Sequence, residues 1–367
     1  MEKINMEVQK LNWSCSKESP EYLQVSLAAA MTLGFSANTF YRNAFPRCIN
    51  LLLSYDDGCY ARCAYCGLSN TSPPFTKGGE GGLLGEKSFI RVEWPRYSLK
   101  EIINRSKLRM DAIERFCVSM IMNHRAVDDT VAVIKEIKLE IDTDISVLSN
   151  PSSMDDIDIQ RFKDAGADRF TVAIDCATEE IFDKYRGKDI NGPHKWDRYW
   201  KILKKARPIF GEGNIGCHLI VGLGETEKEM IKAIQWMHDM GGTTHLFSFY
   251  QEAGSLLENH PQCPVSQFRR IQLARYTIDF DYARIDGMGF DEKERVADFG
   301  VSDDVLNQFV ESGIPFQTSG CPGKNKRIAC CNRPFGDSRP SDIRSYPIRL
   351  EQGDVEKVRR ELLAYSL

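Results

Sequence analysis

Cys59, Cys63 and Cys66 lie in the stretch GCYARCAYCGLSN, residues 58 to 70, spaced as CxxxCxxC directly after an apolar run from Ile49 to Tyr55. Structural zinc wants four closed ligands, commonly as two CxxC pairs, and no nearby Cys or His completes this set. A redox pair needs only two thiols. Three thiolates can instead hold three irons of a four-iron cluster and leave the fourth iron open to a small molecule. Gly58 and Gly67 let the backbone turn around such an inorganic core.

A second group, Cys321, Cys330 and Cys331, sits in SGCPGKNKRIACCNRPFGDSRPSDIRSYP, residues 319 to 347. This segment is dense in Pro, Gly and Arg and too poor in apolar residues to fold unaided, which a bound cluster would explain. Zinc or uncoordinated thiols are the alternative uses. The remaining six of the twelve cysteines, at 15, 48, 117, 176, 217 and 263, are scattered singly. Met1 to Trp13 lacks the basic-then-apolar order of a signal peptide, so ligation is expected for the thiols ahead of disulfides. No run approaches the ~18 uninterrupted apolar residues of a membrane helix. A cytoplasmic protein is expected, and the net charge of −4 gives no reason to expect nucleic acid.

The elements that must position these thiols alternate through the middle of the chain. Apolar, β-branched runs predict strands over Cys48 to Tyr55, Arg115 to Met122, Asp144 to Ser149, Arg169 to Asp175, Ile215 to Leu223 and His245 to Tyr250. Amphipathic stretches predict helices over Leu99 to Ile113, Asp128 to Ile141, Met154 to Ala165, Glu179 to Tyr185, Trp196 to Ile209, Glu227 to Met240 and Gln267 to Ile278. Strand-then-helix units in series imply parallel strands with right-handed crossovers, here a partial (βα)6 TIM-type barrel of class α/β. Its expected span is 46–289, with an N-terminal extension over 1–45 and a cysteine-bearing C-terminal extension over 290–367. The three-cysteine loop then lands at the C-terminal ends of the strands, where chemistry on such folds sits. Thr71 to Lys87, rich in Gly and Pro, is expected to be a mobile loop.

CxxxCxYC after a first strand resembles the radical S-adenosylmethionine (SAM) enzymes, over roughly residues 45 to 280. The resemblance implies a 4Fe-4S cluster on Cys59, Cys63 and Cys66 whose open iron binds the amino and carboxylate groups of SAM. Reduction of the sulfonium then gives methionine and a 5′-deoxyadenosyl radical. By the same resemblance Tyr65 flanks the adenine, as does IVGLGET from Ile220 to Thr226, with Gly222, Gly224 and Glu225. Asp175 would bond the ribose hydroxyls; from its position alone it could equally cap the helix at Thr178. Arg186 would lie near the SAM carboxylate, or be a solvated helix-end residue. Ser149 and Asn150 could bond the methionine part. The glycine-glycine-glutamate motif common in the family is replaced by SMIMNHR, so the holder of the SAM amino group is left open.

GCYxxCxYC and IVGLGET are most similar to the biotin synthase-like subgroup. Of the positions that hold the second, two-iron cluster of biotin synthase, Cys117 matches one, but Ser146 and Gly216 stand at the next two. Cys217 is one residue out of phase and faces the other side of its strand. Cys117 is then expected to be a small buried apolar residue. The C-terminal stretch instead resembles the CPxCNRP ending, followed by Arg-x-Tyr-Pro, of the two-protein lipoyl synthases of archaea and some bacteria. The inserted KNKRIAC lets either Cys330 or Cys331 be the second ligand, with Cys321 and Cys331 favoured. Cys48, Cys15 and Ser345 are the further candidate ligands.

That resemblance implies an auxiliary iron-sulfur cluster that yields sulfur to an octanoyl chain threaded through the barrel. Met120, Met122, Phe247, Phe249 and Met288 are the candidate channel lining. The implied partners are an octanoylated carrier protein or peptide, a companion radical SAM protein and an electron donor such as ferredoxin or flavodoxin. A carbon-skeleton rearrangement or methyl-transfer enzyme of the same subgroup, and a scaffold that binds iron and sulfur without SAM chemistry, are the rival readings.

Overall fold

The computed structural model describes residues 16–37, 39–44, 46–70, 92–331 and 343–363. Cys15 and the loop Thr71 to Lys87 lie outside them. Strands β1 (Tyr22–Val25), β2 (Cys48–Leu53), β3 (Arg96–Ser98), β4 (Arg115–Ser119), β5 (Asp144–Ser149), β6 (Arg169–Asp175), β7 (Ile215–Val221) and β8 (Thr243–Ser248) form one sheet in the order β3-β1-β2-β4-β5-β6-β7-β8. The six strands expected from the sequence are all present and pair in parallel. β4 stops at Ser119 and β7 at Val221, short of the apolar runs that announced them. The fold is thus α/β, with a mainly parallel sheet of TIM-like layout. The edge strands β3 and β8 are not paired with each other, so the barrel is not closed by strand pairing among the described residues.

The described part of the N-terminal extension does more than pack on the outside. Its strand β1 pairs antiparallel with both β2 and β3 and extends the sheet at one edge. Helices α1 (Leu27–Thr32), α2 (Leu99–Lys107), α3 (Ala126–Glu140), α4 (Asp158–Ala165), α5 (Glu179–Tyr185), α6 (Trp196–Phe210), α7 (Glu227–Asp239) and α8 (Val265–Asp279) carry the connections. Their ends follow local chemistry. Ser98, Thr178 and Thr226 cap α2, α5 and α7 through their hydroxyls, and Glu229 closes a capping box on α7. Met230, Ile231, Ile234 and Met237 form the buried stripe of α7, at the three-to-four residue spacing of one helix face.

The parallel strands alternate with period two. Residues such as Ile49, Leu51, Phe116, Val118, Ile145, Val147, Phe170, Val172, Leu219 and Val221 are buried in the main core. Asn50, Leu52, Cys117, Ser119, Leu148, Ala173, His218 and Ile220, on the opposite face, line an internal cavity instead. Cys217 is out of phase with that lining, as its sequence position predicts, and is buried in the main core.

The C-terminal region adds a small hairpin, β9 (Gly289–Phe290) with β10 (Val296–Asp298), and helices α9 (Asp303–Ser312) and α10 (Gln352–Leu363). A second core of Phe309, Val310, Phe316, Tyr346, Val355 and Val358 seats these helices on Leu273 of α8. No helix among the described residues is long and apolar enough to cross a membrane.

Candidate functional site

The cavity, of about 270 Å³, runs through the interior of the sheet, and the three-cysteine loop forms one end of it. The loop leaves β2 through Gly58, whose φ of 72° is in the left-handed region that glycine tolerates. Backbone hydrogen bonds to three other segments fix it: Tyr60 N–H donates to Met122 O (2.8 Å), Ala64 N–H to Tyr185 O (2.7 Å) and Leu257 N–H to Ala64 O (3.0 Å). Cys59, Cys63 and Cys66 all line the cavity, with Cys63 buried. Burial pushes the Cys63 thiol up to about 12 and the Cys66 thiol well above its usual range, with the neighbouring sulfurs adding to the effect. Three thiolates held here therefore call for a compensating positive centre.

Beside the loop, a charged cluster is built on the end of β6. A register shift between Ala173 and Asp175, with Asp175 at φ 66°, turns that carboxylate into the cavity. Asp175 accepts hydrogen bonds from Tyr65 Oη (2.7 Å) and Arg186 Nη1 (2.8 Å). It does not cap α5, because Thr178 does that itself. Arg186 is only 4% exposed, so it is not a solvated helix end. Its Nη1 also donates to the carbonyls of Ala173 (2.6 Å) and Ile174 (2.9 Å), and its Nη2 to Tyr199 Oη (3.1 Å). The guanidinium stacks over the Phe182 and Tyr199 rings at 5.0 and 4.9 Å.

Ser149 and Asn150 line the same wall. The Ser149 hydroxyl donates to Thr171 O (3.0 Å), and Asn150 Oδ1 accepts from Ser152 N–H (3.1 Å) and Tyr199 Oη (3.3 Å). The turn carrying Gly222, Gly224 and Glu225 stands back: the lining on β7 reaches Ile220 but none of these three. Glu225 folds onto its own turn, accepting from Gly222 N–H (2.7 Å) and Leu223 N–H (2.9 Å), and burial raises its pKa to about 7. Gly222, at φ 109°, has no room for a Cβ, which would come within 2.7 Å of Cys263 Cβ.

The other end of the cavity is closed by the C-terminal cysteine segment, which lies against the N-terminal ends of the strands. Arg115, at the start of β4, donates through Nε to Pro322 O (2.7 Å) and forms a bidentate pair with Asp168 (2.6 and 2.7 Å). Leu246 N–H donates to Ser319 Oγ (2.8 Å), and Asn325 Nδ2 to Glu114 Oε1 (2.8 Å). So anchored, the segment brings Cys321, Cys330 and Cys331 into one buried cluster with Cys48 and Cys117. Cys117 was expected to be core filling, but it lines the cavity among these sulfurs. Cys48 and Cys330 form a disulfide with Cα atoms 5.0 Å apart, where ligation was expected ahead of disulfides. Proximity accounts for the bond, since the start of β2 faces the segment directly. Cys48 and the loop that follows Leu53 occupy opposite ends of one strand, roughly 17 Å apart at about 3.3 Å per residue.

Ser345 lines the cavity and accepts from Gln272 Nε2 (3.4 Å). Of the expected channel residues, Met120, Met122, Phe247 and Phe249 line the cavity, whereas Met288 is buried in the main core away from it. Two residues that sequence reasoning passed over complete the floor. His218 and His245 are register partners on β7 and β8, with ring centroids 5.3 Å apart, and both approach Cys331. Burial and the neighbouring His218 hold the His245 imidazole well below its usual pKa, hence neutral. The available signal was two of only six histidines falling on consecutive strands, legible once the register is known.

Three groups of observations compare the chain with known proteins. Residues 53–237 match the family model described as the Radical SAM superfamily. No curated protein matches the chain. Similar solved structures include HydG, a maturase of the FeFe-hydrogenase, at 15% identity over 70% of this chain and 54% of that one, with a TM-score of 0.48. The methyltransferase TsrM from Kitasatospora setae, solved with its tryptophan substrate and the SAM analog aza-SAM, is 13% identical over 74% and 51%, with a TM-score of 0.40. Coproporphyrinogen III oxidase (HemN) from Escherichia coli is 15% identical over 55% and 46%, with a TM-score of 0.35. The chain spans about half the length of these structures.

Proposed function

The chain belongs to the radical SAM superfamily, and on that premise we propose that it is a sulfur-inserting member of the lipoyl synthase type, acting on an octanoyl chain carried by a protein or peptide. The residues at the loop end fit the family's cofactors. Three thiols line the cavity there, and beside them Arg186 Nε and His194 Nε2 are buried without a hydrogen-bond partner. Bound at Cys59, Cys63 and Cys66, a 4Fe-4S cluster with SAM supplies a 5′-deoxyadenosyl radical able to abstract hydrogen from an unactivated carbon. The chain's own contribution is to orient and to exclude water. Tyr65 and Arg186 hold the Asp175 carboxylate toward the cavity, Ser149 and Asn150 offer polar atoms beside it, and Met120, Met122, Phe247 and Phe249 give an apolar path for an acyl chain.

The observation that carries the reading is the buried thiol cluster at the opposite end of that same cavity. In place of the Cys321 and Cys331 pair favoured from the sequence, Cys48, Cys321 and Cys330 are the ligands we assign to a sulfur-donating auxiliary cluster, once the Cys48–Cys330 disulfide is reduced, because Cys331 turns toward His218 and His245. The sulfur consumed is a substrate. A companion radical SAM protein would insert the other sulfur of the pair, a ferredoxin or flavodoxin would deliver electrons, and a thiol-rich chain of this kind suits a reducing cytoplasm. The test is anaerobic: reconstituted, reduced protein is incubated with SAM and an octanoyl-lysine peptide, alone and with its companion. A peptide mass gain of one sulfur, with about eight irons per chain, is expected. About four irons, with 5′-deoxyadenosine formed but no sulfur transferred in either arm, would replace this reading with rearrangement or methyl transfer.

A further inference from the structure

We propose that His218, His245 and Cys331 form a zinc site of their own at the floor of the cavity, separate from both iron-binding thiol sets. The inference goes beyond sulfur insertion and stands without it. Cys331 Sγ is 3.9 Å from His218 Nε2 and 3.9 Å from His245 Nδ1, and all three ligand atoms lie within 4.8 Å of one another. A tetrahedral zinc with Zn–S near 2.3 Å and Zn–N near 2.0–2.1 Å sets sulfur and nitrogen about 3.6 Å apart. Each sulfur–nitrogen gap therefore needs to close by only a few tenths of an ångström. The two nitrogens, within 4.8 Å of each other, must approach to about 3.3 Å, which rotation of the imidazoles about their side-chain torsions supplies. Mixed imidazole and thiolate donors suit zinc better than the oxygen-seeking cations.

The backbone holds this set in place. His218 and His245 sit directly opposite each other on adjacent parallel strands, so strand spacing fixes the imidazoles side by side. His245 Nε2 lies 3.5 Å from Thr243 Oγ1, a partner that leaves Nδ1 as the coordinating nitrogen. Cys331 adopts φ 62°, a left-handed conformation that residues with a side chain take up only at a cost. The two adjacent cysteines thereby part company: Cys330 meets Cys48 and Ser146, while Cys331 meets the histidines. Since His218 and Cys331 both line the cavity, the fourth coordination position opens onto it, as in zinc sites that exchange a ligand.

The full chain, its iron sites reconstituted anaerobically, is loaded with zinc and desalted, and its metals are counted. Zinc-edge X-ray absorption then reads the ligand shell. One zinc per chain is expected, with a single sulfur near 2.3 Å and nitrogens near 2.0–2.1 Å. The double variant His218→Gln, His245→Gln should lose that zinc and keep its iron, and Thr243→Val should weaken zinc binding by about 10-fold. A shell of three or four sulfurs, no retained zinc, or zinc retained by the double variant would overturn the proposal. The native shell decides the matter even if the variant does not fold, and neither readout depends on whether any sulfur is transferred.

Discussion

Replacing Arg186 by Met tests whether the three-cysteine end of the cavity, where SAM is proposed to bind, is held together as described. Met keeps an apolar stem over the Phe182 and Tyr199 rings but removes every donor. Asp175 would then keep Tyr65 Oη, while the carbonyls of Ala173 and Ile174 lose the guanidinium. Removing one partner of a buried ion pair typically costs 3–5 kcal/mol. Asp175 has 14% of its side chain exposed to the cavity, where water can answer it in part, so the lower end, about 3 kcal/mol, is expected. Against a typical reserve of 5–15 kcal/mol, the variant should still fold. Urea unfolding measures that loss, and equilibrium dialysis with SAM on the reconstituted protein measures the consequence for binding. If a re-aimed Asp175 carboxylate matters to the site, SAM affinity should fall by roughly 10- to 100-fold, since a lost hydrogen bond to a charged group costs about 1.5–3 kcal/mol. Arg186→Lys, which can reach Asp175 but not all four acceptors, should fall between the two. A stability change below ~1 kcal/mol together with native SAM affinity would refute the reasoning, since the guanidinium would then be holding nothing that its neighbours need.

Three further outcomes follow from the same geometry. Glu225 has its pKa raised from the usual 4.5 to about 7 by burial, so the stability contributed by its protonated form is complete below pH ~4.5 and is lost as pH rises through about 7. Comparing urea midpoints at pH ~4.5 and ~8, native protein should lose roughly 3 kcal/mol relative to Glu225→Gln; parallel profiles would contradict this. Asp168→Ala leaves the 2%-exposed Arg115 with the more distant Asp144 as its remaining carboxylate partner and frees the guanidinium that anchors Pro322 to shift. Since Asp168 is itself 37% exposed, the cost should be nearer 2 kcal/mol than the full value for a buried pair, with Cys321 reacting faster toward thiol reagents in the reduced chain. Iron analysis of the triple variant Cys59→Ala, Cys63→Ala, Cys66→Ala should find roughly half the native iron; complete loss would remove the case for a second cluster.

The parallel core was legible because short apolar runs of five to seven residues alternate with long amphipathic helices, a pattern that run length and helical period resolve together. β1 and β3 were not, because YLQV and RYS are too short to carry a period and owe their conformation to pairing with β2 and with each other. The three-cysteine loop is local in sequence and could be read directly. The floor could not. Cys48 and Cys330 are separated by 282 positions, and the anchoring of the C-terminal segment by residues such as Arg115, Leu246 and Glu114 brings them together. Arg186 was ambiguous for a related reason: its place at the end of α5 is visible in the sequence, but its burial against Tyr199 belongs to the packing of α6. Met288 was read as lining from its type alone, and type does not say which side of a wall a residue takes.

The sealing of the cavity floor by residues 319–331 sets an order of events during synthesis. Domains fold broadly from the N-terminus as the chain emerges. By the time α7 has been made, the three-cysteine loop and the strand that carries it have been synthesised, while the floor is an open hole edged by Cys48, Cys117 and Arg115. The thiol that meets Cys48 arrives 282 positions after it, and Pro322 can reach Arg115 only then. The floor is therefore the last wall of the cavity to be synthesised, and a nascent chain stalled before that segment carries the three-cysteine loop over an open base.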